Sequence, residues 1–136
     1  MQRLLGRFSP LCYALMRIVV GFLFACHGAQ KLFGVLGGHQ MPLMSQMGLA
    51  GVIEFFGGVC IALGLLTSYV AFIASGEMAW AYFQAHAPQG HWPIVNRGEL
   101  AALYSFVFLY FAVAGAGEWS LDRRLGIRRW SERFAS

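Results

Sequence analysis

The sequence predicts an all-α membrane protein, a bundle of four transmembrane helices. Hydrophobic residues make up 58% of the 136 residues and charged residues only 12%, and the mean hydropathy is +0.58. A soluble domain needs more polar surface than this to face water on all sides, so lipid is the main solvent of the chain. The apolar residues form long segments separated by short breaks, and we interpret residues 1–136 as a single membrane domain.

The first predicted span covers residues 11–33. Ser9 and Pro10 stand before it and are typical of a helix N-cap and first turn. The residues that follow the span break helices: Gly34, Gly37, Gly38 and Pro42.

Two further spans are predicted in the next apolar segment. Residues 49–87 are almost continuously apolar, and as one helix they would be roughly 58 Å long, about twice the thickness of the hydrocarbon core of a bilayer. The segment must therefore fold back on itself. Thr67 and Ser68 form the polar pair near its middle, which predicts spans over 49–66 and 69–87 with Ser68 as the cap of the third helix.

The last predicted span runs from residue 97 to residue 117. Asn96 is followed three residues later by Glu99, a spacing that predicts an N-cap with its capping-box partner.

Basic residues lie mainly near the two termini. Arg3 and Arg7 precede the first span without a following cleavage site for a signal peptidase, so we interpret that span as retained. The connecting loops hold only Lys31 and Arg97 at their edges, whereas five arginines follow the last span: Arg123, Arg124, Arg128, Arg129 and Arg133. The positive-inside rule then predicts a multi-pass membrane protein with both termini in the cytoplasm.

The C-terminal segment, residues 120–136, is predicted to be a basic amphipathic tail. Leu121, Leu125, Trp130 and Phe134 alternate with its arginines. We expect this tail to lie on anionic lipid headgroups rather than to bind nucleic acid.

Ionisable residues inside the predicted spans are costly in lipid, and each needs a partner. Counted from the cytoplasmic boundary, Arg17 lies about 9 Å deep on span one and Glu77 about 12 Å deep on span three. This predicts a buried ion pair between Arg17 and Glu77, with a proton relay as the alternative role.

A second polar layer is predicted near the outer face. His27, Glu54, His86 and Glu99 come one from each span and lie roughly 20 to 27 Å above the cytoplasmic boundary. Four further side chains accompany them: Gln30, Lys31, Asn96 and Tyr104. Together they predict a chamber that binds a ligand and handles protons, because apolar walls with a few convergent polar groups are the usual form of a small-molecule site. The alternative is that these groups only meet headgroups, with Glu54 as the buried partner of Lys31.

Several segments of the sequence resemble the DoxX family of small four-helix bacterial membrane proteins. They are "HGAQKLFG", "EFFGGVCIALGLLT", "EMAWAYFQAH", "NRGELAALY" and "GEWSLD", in this order between about Leu15 and Asp122. Many relatives have the sequence Asn-Gly-Gly-Glu at this position. This chain has Arg97 in place of the first glycine, which adds a cation near the predicted outer polar layer.

The resemblance implies a membrane-bound oxidoreductase component, similar to subunits of thiosulfate:quinone oxidoreductase. Two classes of function stay open at this stage. One is a quinone-linked subunit in which the outer polar layer binds the quinone head. The other is a non-catalytic scaffold or small-molecule-binding subunit of a larger complex.

The sequence also bears on cofactors and partners. It carries no flavin, nucleotide or iron–sulfur signature, so electrons would come from the substrate or from a soluble or membrane-bound redox partner. Haem bound by His27 and His86 and a divalent metal bound by the same histidines with Glu54 or Glu99 are less favoured alternatives to quinone. The three cysteines, Cys12, Cys26 and Cys60, have no CxxC spacing and predict no thiolate metal site. Transport would require a homo-oligomer, because four short spans leave little room for alternating access.

Overall fold

The structure, a computed structural model, describes residues 5–127, and every regular element within them is helical. A 3-10 turn, Gly6–Phe8, leads into α1, and the five α-helices of this region are α1 (Ser9–Phe33), α2 (Gln46–Leu63), α3 (Thr67–Ala81), α4 (Glu99–Ala114) and α5 (Leu121–Arg124). A π-helical turn, Tyr82–His86, and a 3-10 turn, Ala87–Gln89, extend α3. The predicted all-α class is confirmed for the described residues.

The first two helices begin and end close to the predicted positions. Pro10 lies in the first turn of α1, and Gly34 ends the helix in the left-handed conformation with φ of 65°. α2 begins three residues earlier than predicted because Ser45 is its N-cap, with a hydroxyl that accepts from the Gly48 N–H at 3.1 Å. That hydroxyl satisfies one of the unpaired N–H groups at the start of the helix.

The turn between α2 and α3 lies at residues 64–66, directly before the predicted turn at Thr67 and Ser68. Ser68 does not cap α3 as the sequence suggested. The Asp122 carboxylate instead accepts hydrogen bonds from the N–H groups of Leu66 at 2.6 Å and Thr67 at 3.0 Å. A carboxylate stabilises a helix N-terminus because it accepts hydrogen bonds from the unpaired N–H groups and interacts favourably with the helix dipole. Asp122 is 55 residues away from Thr67 in the chain.

The predicted ion pair between Arg17 and Glu77 is not formed. Arg17 is only 1% exposed, and its guanidinium donates to the carbonyl oxygens of Ile61 at 2.6 Å, Ala62 at 2.8 Å and Trp119 at 2.7 Å. The last carbonyls of a helix have no partner within the helix, so α2 offers Arg17 acceptors without a counter-charge. We call this part of the bundle, which contains Arg17, Gly64 and Asp122, the clamp end.

The capping box predicted at the start of α4 is also not formed. α4 begins at Glu99 with Gly98 as the N-cap residue and no side-chain cap. The Asn96 side-chain oxygen accepts from the Gly98 N–H at 2.8 Å, two residues ahead in the chain. Asn96 therefore forms a local turn before the helix, as asparagine commonly does.

The bundle consists of two closely packed helix pairs. α1 and α2 approach so closely that a Cβ on Gly28 would lie 2.2 Å from the Phe55 nitrogen, and a Cβ on Gly58 would lie 2.4 Å from the Ala25 nitrogen. α3 and α4 are joined by Ser75 and Ser105, whose hydroxyls each donate to the other residue's carbonyl oxygen. Small residues and serine hydroxyls are the usual means of joining helices in lipid.

Aromatic rings connect the two pairs. Phe24 of α1 packs against Tyr104 and Phe108 of α4, with ring centroids 5.5 and 4.6 Å apart. Phe24 and Phe108 are fully buried and belong to the core. Tilted aromatic pairs of this kind add stability beyond the area they bury.

The exterior of the bundle is apolar. Phe72 on α3 and Phe106 on α4 are 66% and 72% exposed. Gly6–Phe33 and Gln46–Leu63 are long and apolar enough to cross a bilayer, and α4 is a shorter apolar helix. The four-span count and the cytoplasmic termini stay predictions, and the part of the predicted tail from residue 128 to 136 lies outside the described residues.

We expect Gly58→Ala to destabilise the protein and Gly76→Ala to leave it unchanged or slightly stabilised. The new methyl group at position 58 meets the α1 backbone, and overpacking of this kind costs about 1–3 kcal/mol. At position 76 a Cβ meets nothing within 4 Å, so only the helix propensity of alanine acts there. Thermal unfolding of both variants in the same mild detergent measures the difference. Equal midpoints would contradict the close α1–α2 contact.

Candidate ligand-binding cavity

A cavity of about 670 Å³ lies between the helices where α1 and α3 end and α2 and α4 begin. We call this the cavity end. The ionisable and phenolic side chains used below come from all four helices and the π-helical turn: His27, Lys31, Glu54, Glu77, His86 and Tyr104. Another cavity, of about 310 Å³, lies at the clamp end, where Ser120 and Asp122 already bind backbone groups, so its polar groups are less available to a ligand.

An ion pair between Lys31 and Glu54 forms the base of the cavity. The Lys31 ammonium contacts one carboxylate oxygen, Oε1, of Glu54. The Glu54 side chain is 2% exposed and the Lys31 side chain 21% exposed. The other oxygen, Glu54 Oε2, is buried and has no hydrogen-bond partner among the described residues. A buried carboxylate is retained only when it is paired, so Lys31 holds the charge of Glu54 in place.

Glu77 brings a second carboxyl group to the cavity from α3. Its Oε2 atom is also buried without a hydrogen-bond partner within residues 5–127. The group lies within electrostatic range of Glu54 and Lys31. The cavity therefore holds two acidic groups from facing helices, of which one is paired with a lysine.

One wall of the cavity is aromatic. Tyr104 stacks on Phe108 with an interplanar angle of 8°, and Phe24 packs beside it. The edge of His27 points towards the face of Tyr104 or the reverse, with the rings 6.3 Å apart and almost perpendicular. This wall offers ring surface together with one imidazole and one phenol that can form hydrogen bonds.

The π-helical turn that extends α3 carries His86. Its Nδ1 lies 3.1 Å from the Asn96 carbonyl oxygen, so Nδ1 carries the proton and donates. The other nitrogen, Nε2, is then an acceptor in the neutral ring. Arg97 also lines the cavity and adopts φ of 59°, a left-handed conformation that glycine takes more readily.

The mouth of the cavity has an amide pair and an apolar rim. Gln46 at the start of α2 and Gln84 in the π-helical turn exchange hydrogen bonds through their side-chain amides. Leu49, Trp80 and Leu100 line the cavity and are also exposed on the outer surface. An apolar molecule can therefore reach the polar base past side chains that lipid would cover.

Five of the predicted site residues meet in this cavity and three do not. His27, Lys31, Glu54, His86 and Tyr104 line it. Gln30 instead donates to the Leu36 carbonyl oxygen at 2.9 Å and shapes the loop between α1 and α2. Asn96 is buried and donates to the Gly90 carbonyl oxygen at 2.8 Å, and Glu99 is exposed at the start of α4.

Sequence reasoning missed Gln46, Gln84 and the place of Glu77. Glu77 was assigned to the Arg17 pair because counting residues along a helix gives height but not direction. Its spacing from Gln84, seven residues or two turns, places both on one face of a helix and would have been a usable signal. No group of three or more His, Cys, Asp and Glu side chains able to hold a metal ion occurs between residues 5 and 127.

The described residues form a helical bundle with an apolar exterior and a cavity in which a few polar groups converge. The family model described as DoxX matches residues 12–87, more than half of the chain. The protein belongs to the DoxX family.

Three relatives support the assignment. An uncharacterized protein of Haemophilus influenzae is 43% identical over 127 residues, which cover 88% of this chain and 95% of the relative. An uncharacterized membrane protein of Mycobacterium tuberculosis is 31% identical and covers 93% of this chain and 88% of its own. The inner membrane protein YqjF of Escherichia coli is 31% identical, over 84% of this chain and 91% of its own. No solved structure matches the chain.

We expect Lys31→Ala to be strongly destabilising. It leaves the Glu54 charge buried without a partner, a change that costs about 3–5 kcal/mol. The double variant Lys31→Met with Glu54→Leu removes both charges and should recover most of the loss. The matched control is Arg123→Ala, which breaks the exposed pair with Glu118 and should cost at most about 1 kcal/mol.

Unfolding in detergent, followed by circular dichroism, measures all three variants. A Lys31→Ala variant as stable as the Arg123→Ala variant would contradict the buried ion pair between Lys31 and Glu54.

Proposed function

We propose that this DoxX-family protein binds a quinone, or a lipid-soluble molecule with a similar head, in the cavity and acts as a membrane-bound oxidoreductase component. The observation that carries the proposal is a cavity with an apolar rim in which three possible hydrogen-bond donors, Lys31, His27 and Tyr104, converge beside an aromatic wall. An apolar cavity with a few convergent polar groups is the usual form of a small-molecule site.

The side chains present fit a quinone head. Its two carbonyl oxygens need donors, and the Lys31 ammonium, the Tyr104 hydroxyl and the His27 imidazole are the candidate donors in the lining. The aromatic wall formed by Phe24 and Tyr104 gives a flat ring a surface to pack on. A bound quinone would supply the electron-accepting chemistry, which these side chains cannot provide themselves.

We also propose a multi-pass arrangement in the bacterial inner membrane with four spans and cytoplasmic termini. The apolar lengths of α1 and α2 and the apolar exposed surfaces of α3 and α4 support it. The cavity end would then face the periplasm, and the clamp end, near the arginines of the C-terminal segment, the cytoplasm. Electrons would come from a soluble or membrane-bound partner protein.

We expect the purified protein to bind a water-soluble, short-chain quinone, and we expect Glu54→Gln and His27→Ala each to weaken that binding at least tenfold. His27→Ala removes a hydrogen-bond donor, and Glu54→Gln removes the charge that holds the Lys31 ammonium, itself a donor, in the cavity. A hydrogen bond from a charged group contributes about 1.5–3 kcal/mol, which corresponds to tenfold or more in affinity. Trp80 lines the cavity, so quenching of its fluorescence reports binding, and Trp80→Phe removes the signal without removing the site. Glu99→Gln is the matched control, because Glu99 lies outside the cavity lining.

Size-exclusion chromatography in detergent separates loss of binding from loss of folding. Tyr104→Phe, which removes only a hydroxyl, is the mild second variant and should weaken binding without broadening the elution peak. Absence of quinone binding by the wild-type protein would overturn the proposal and favour the scaffold alternative. A Soret band in the visible spectrum of the purified protein would instead indicate haem.

A further inference from the structure

The two carboxyl groups of the cavity are not equivalent. Glu54 on α2 has one oxygen in contact with the Lys31 ammonium and one buried oxygen without a hydrogen-bond partner among residues 5–127. Glu77 on α3 has a buried Oε2 without a partner, and none of the ion pairs in the described region includes it. The Glu54 side chain is 98% buried, so bulk water does not satisfy its free oxygen.

Titratable and charged groups come from every element around the cavity. They are His27 and Lys31 on α1, Glu54 on α2, Glu77 on α3, His86 on the π-helical turn, Arg97 before α4 and Tyr104 on α4. The Lys31 ammonium is already in contact with Glu54, and His27 also interacts with Glu54. Arg97 is exposed, so solvent or headgroups screen its charge. The charged groups that act on Glu77 are Glu54, which repels a second negative charge, and Lys31, which is already paired.

Two ionised carboxylates facing one ammonium would leave an uncompensated negative charge in a low-dielectric interior. Such a charge is so costly that the group takes up a proton instead. A neutral carboxylic acid also has an O–H that can donate a hydrogen bond, which a carboxylate lacks. One proton on Glu77 makes the group Lys31, Glu54 and Glu77 neutral overall.

We propose that Glu77 is a neutral carboxylic acid, that Glu54 is the anion paired with Lys31, and that the Glu77 O–H is a hydrogen-bond donor for a carbonyl oxygen of the ligand. The last part rests on the proposed function. The inference narrows the ligand class, since the cavity then selects molecules with a carbonyl acceptor over analogues in which a hydrocarbon group replaces it. A carboxylic acid held neutral in an apolar site is an established way to donate a hydrogen bond to such an oxygen.

Infrared spectroscopy of the protein without ligand tests the first part. A protonated carboxylic acid has a carbonyl-stretch band well separated from that of a carboxylate. We expect this band in the wild-type protein at neutral pH, its loss in Glu77→Gln, and its persistence in Glu99→Gln, whose carboxyl group is exposed. Absence of the band, or its persistence in Glu77→Gln, would overturn the proposal.

Ligand titration tests the second part with two substitutions at one position. Gln keeps a neutral N–H donor, so Glu77→Gln should bind the short-chain quinone within a few-fold of wild type, whereas Glu77→Leu should bind it about tenfold more weakly. Equal losses of affinity in Glu77→Gln and Glu77→Leu would show that a neutral donor at this position does not bind the ligand, and the proposal would fail.

The two proposals fail in different ways. A wild-type protein that shows the acid band but binds no quinone contradicts the quinone function and leaves the neutral Glu77 standing. A protein that binds quinone but shows no acid band contradicts the neutral Glu77 alone. Size-exclusion profiles of the two Glu77 variants identify any loss that comes from misfolding.

Discussion

The buried ion pair between Lys31 and Glu54 is the interaction on which the cavity depends. Lys31 lies two residues before the last residue of α1, and Glu54 lies in the middle of α2. Their contact fixes the height of one helix relative to the other in a bundle where the glycines of α1 and α2 already allow the backbones to touch. Glu54 can stay ionised in this buried position because the Lys31 ammonium is paired with it. None of the ion pairs among the described residues includes Glu77, which is why we propose that Glu77 is protonated.

The two ends of the bundle use their polar groups in opposite ways. At the clamp end, Arg17 and Asp122 bind backbone groups left over at helix ends, so the costly charges there serve the fold. At the cavity end, neutral side chains bind the backbone of the connecting segments: Gln30 binds the segment after α1, and Asn96 binds the segment before α4. The ionisable groups there remain available to the cavity. This division separates an end whose charges stabilise the fold from an end whose charged groups line a cavity.

The sequence predicts the helices well because long apolar segments bounded by Ser, Pro and Gly leave few alternatives. It fails where a distant residue replaces a local one. Asp122 caps α3 in place of Ser68, and backbone carbonyls rather than Glu77 bind Arg17. In both cases the partner is far along the chain, and a count of residues along a helix shows neither the direction of a side chain nor a backbone acceptor. His27, Glu54 and His86 line one cavity, as the count of residues along each helix predicted, whereas the same count placed Glu77 in a deeper layer although it lines this cavity as well.

Photoaffinity labelling in native membranes tests the central claim, that the cavity end binds a quinone-like ligand, most directly. The account predicts that a photoreactive quinone labels peptides that contain Glu54, Trp80 or Tyr104 and that unlabelled quinone competes for these adducts. Labelling of the outer apolar faces around Phe72 and Phe106, without competition, would mean that the quinone only dissolves in the surrounding lipid, and would contradict the account.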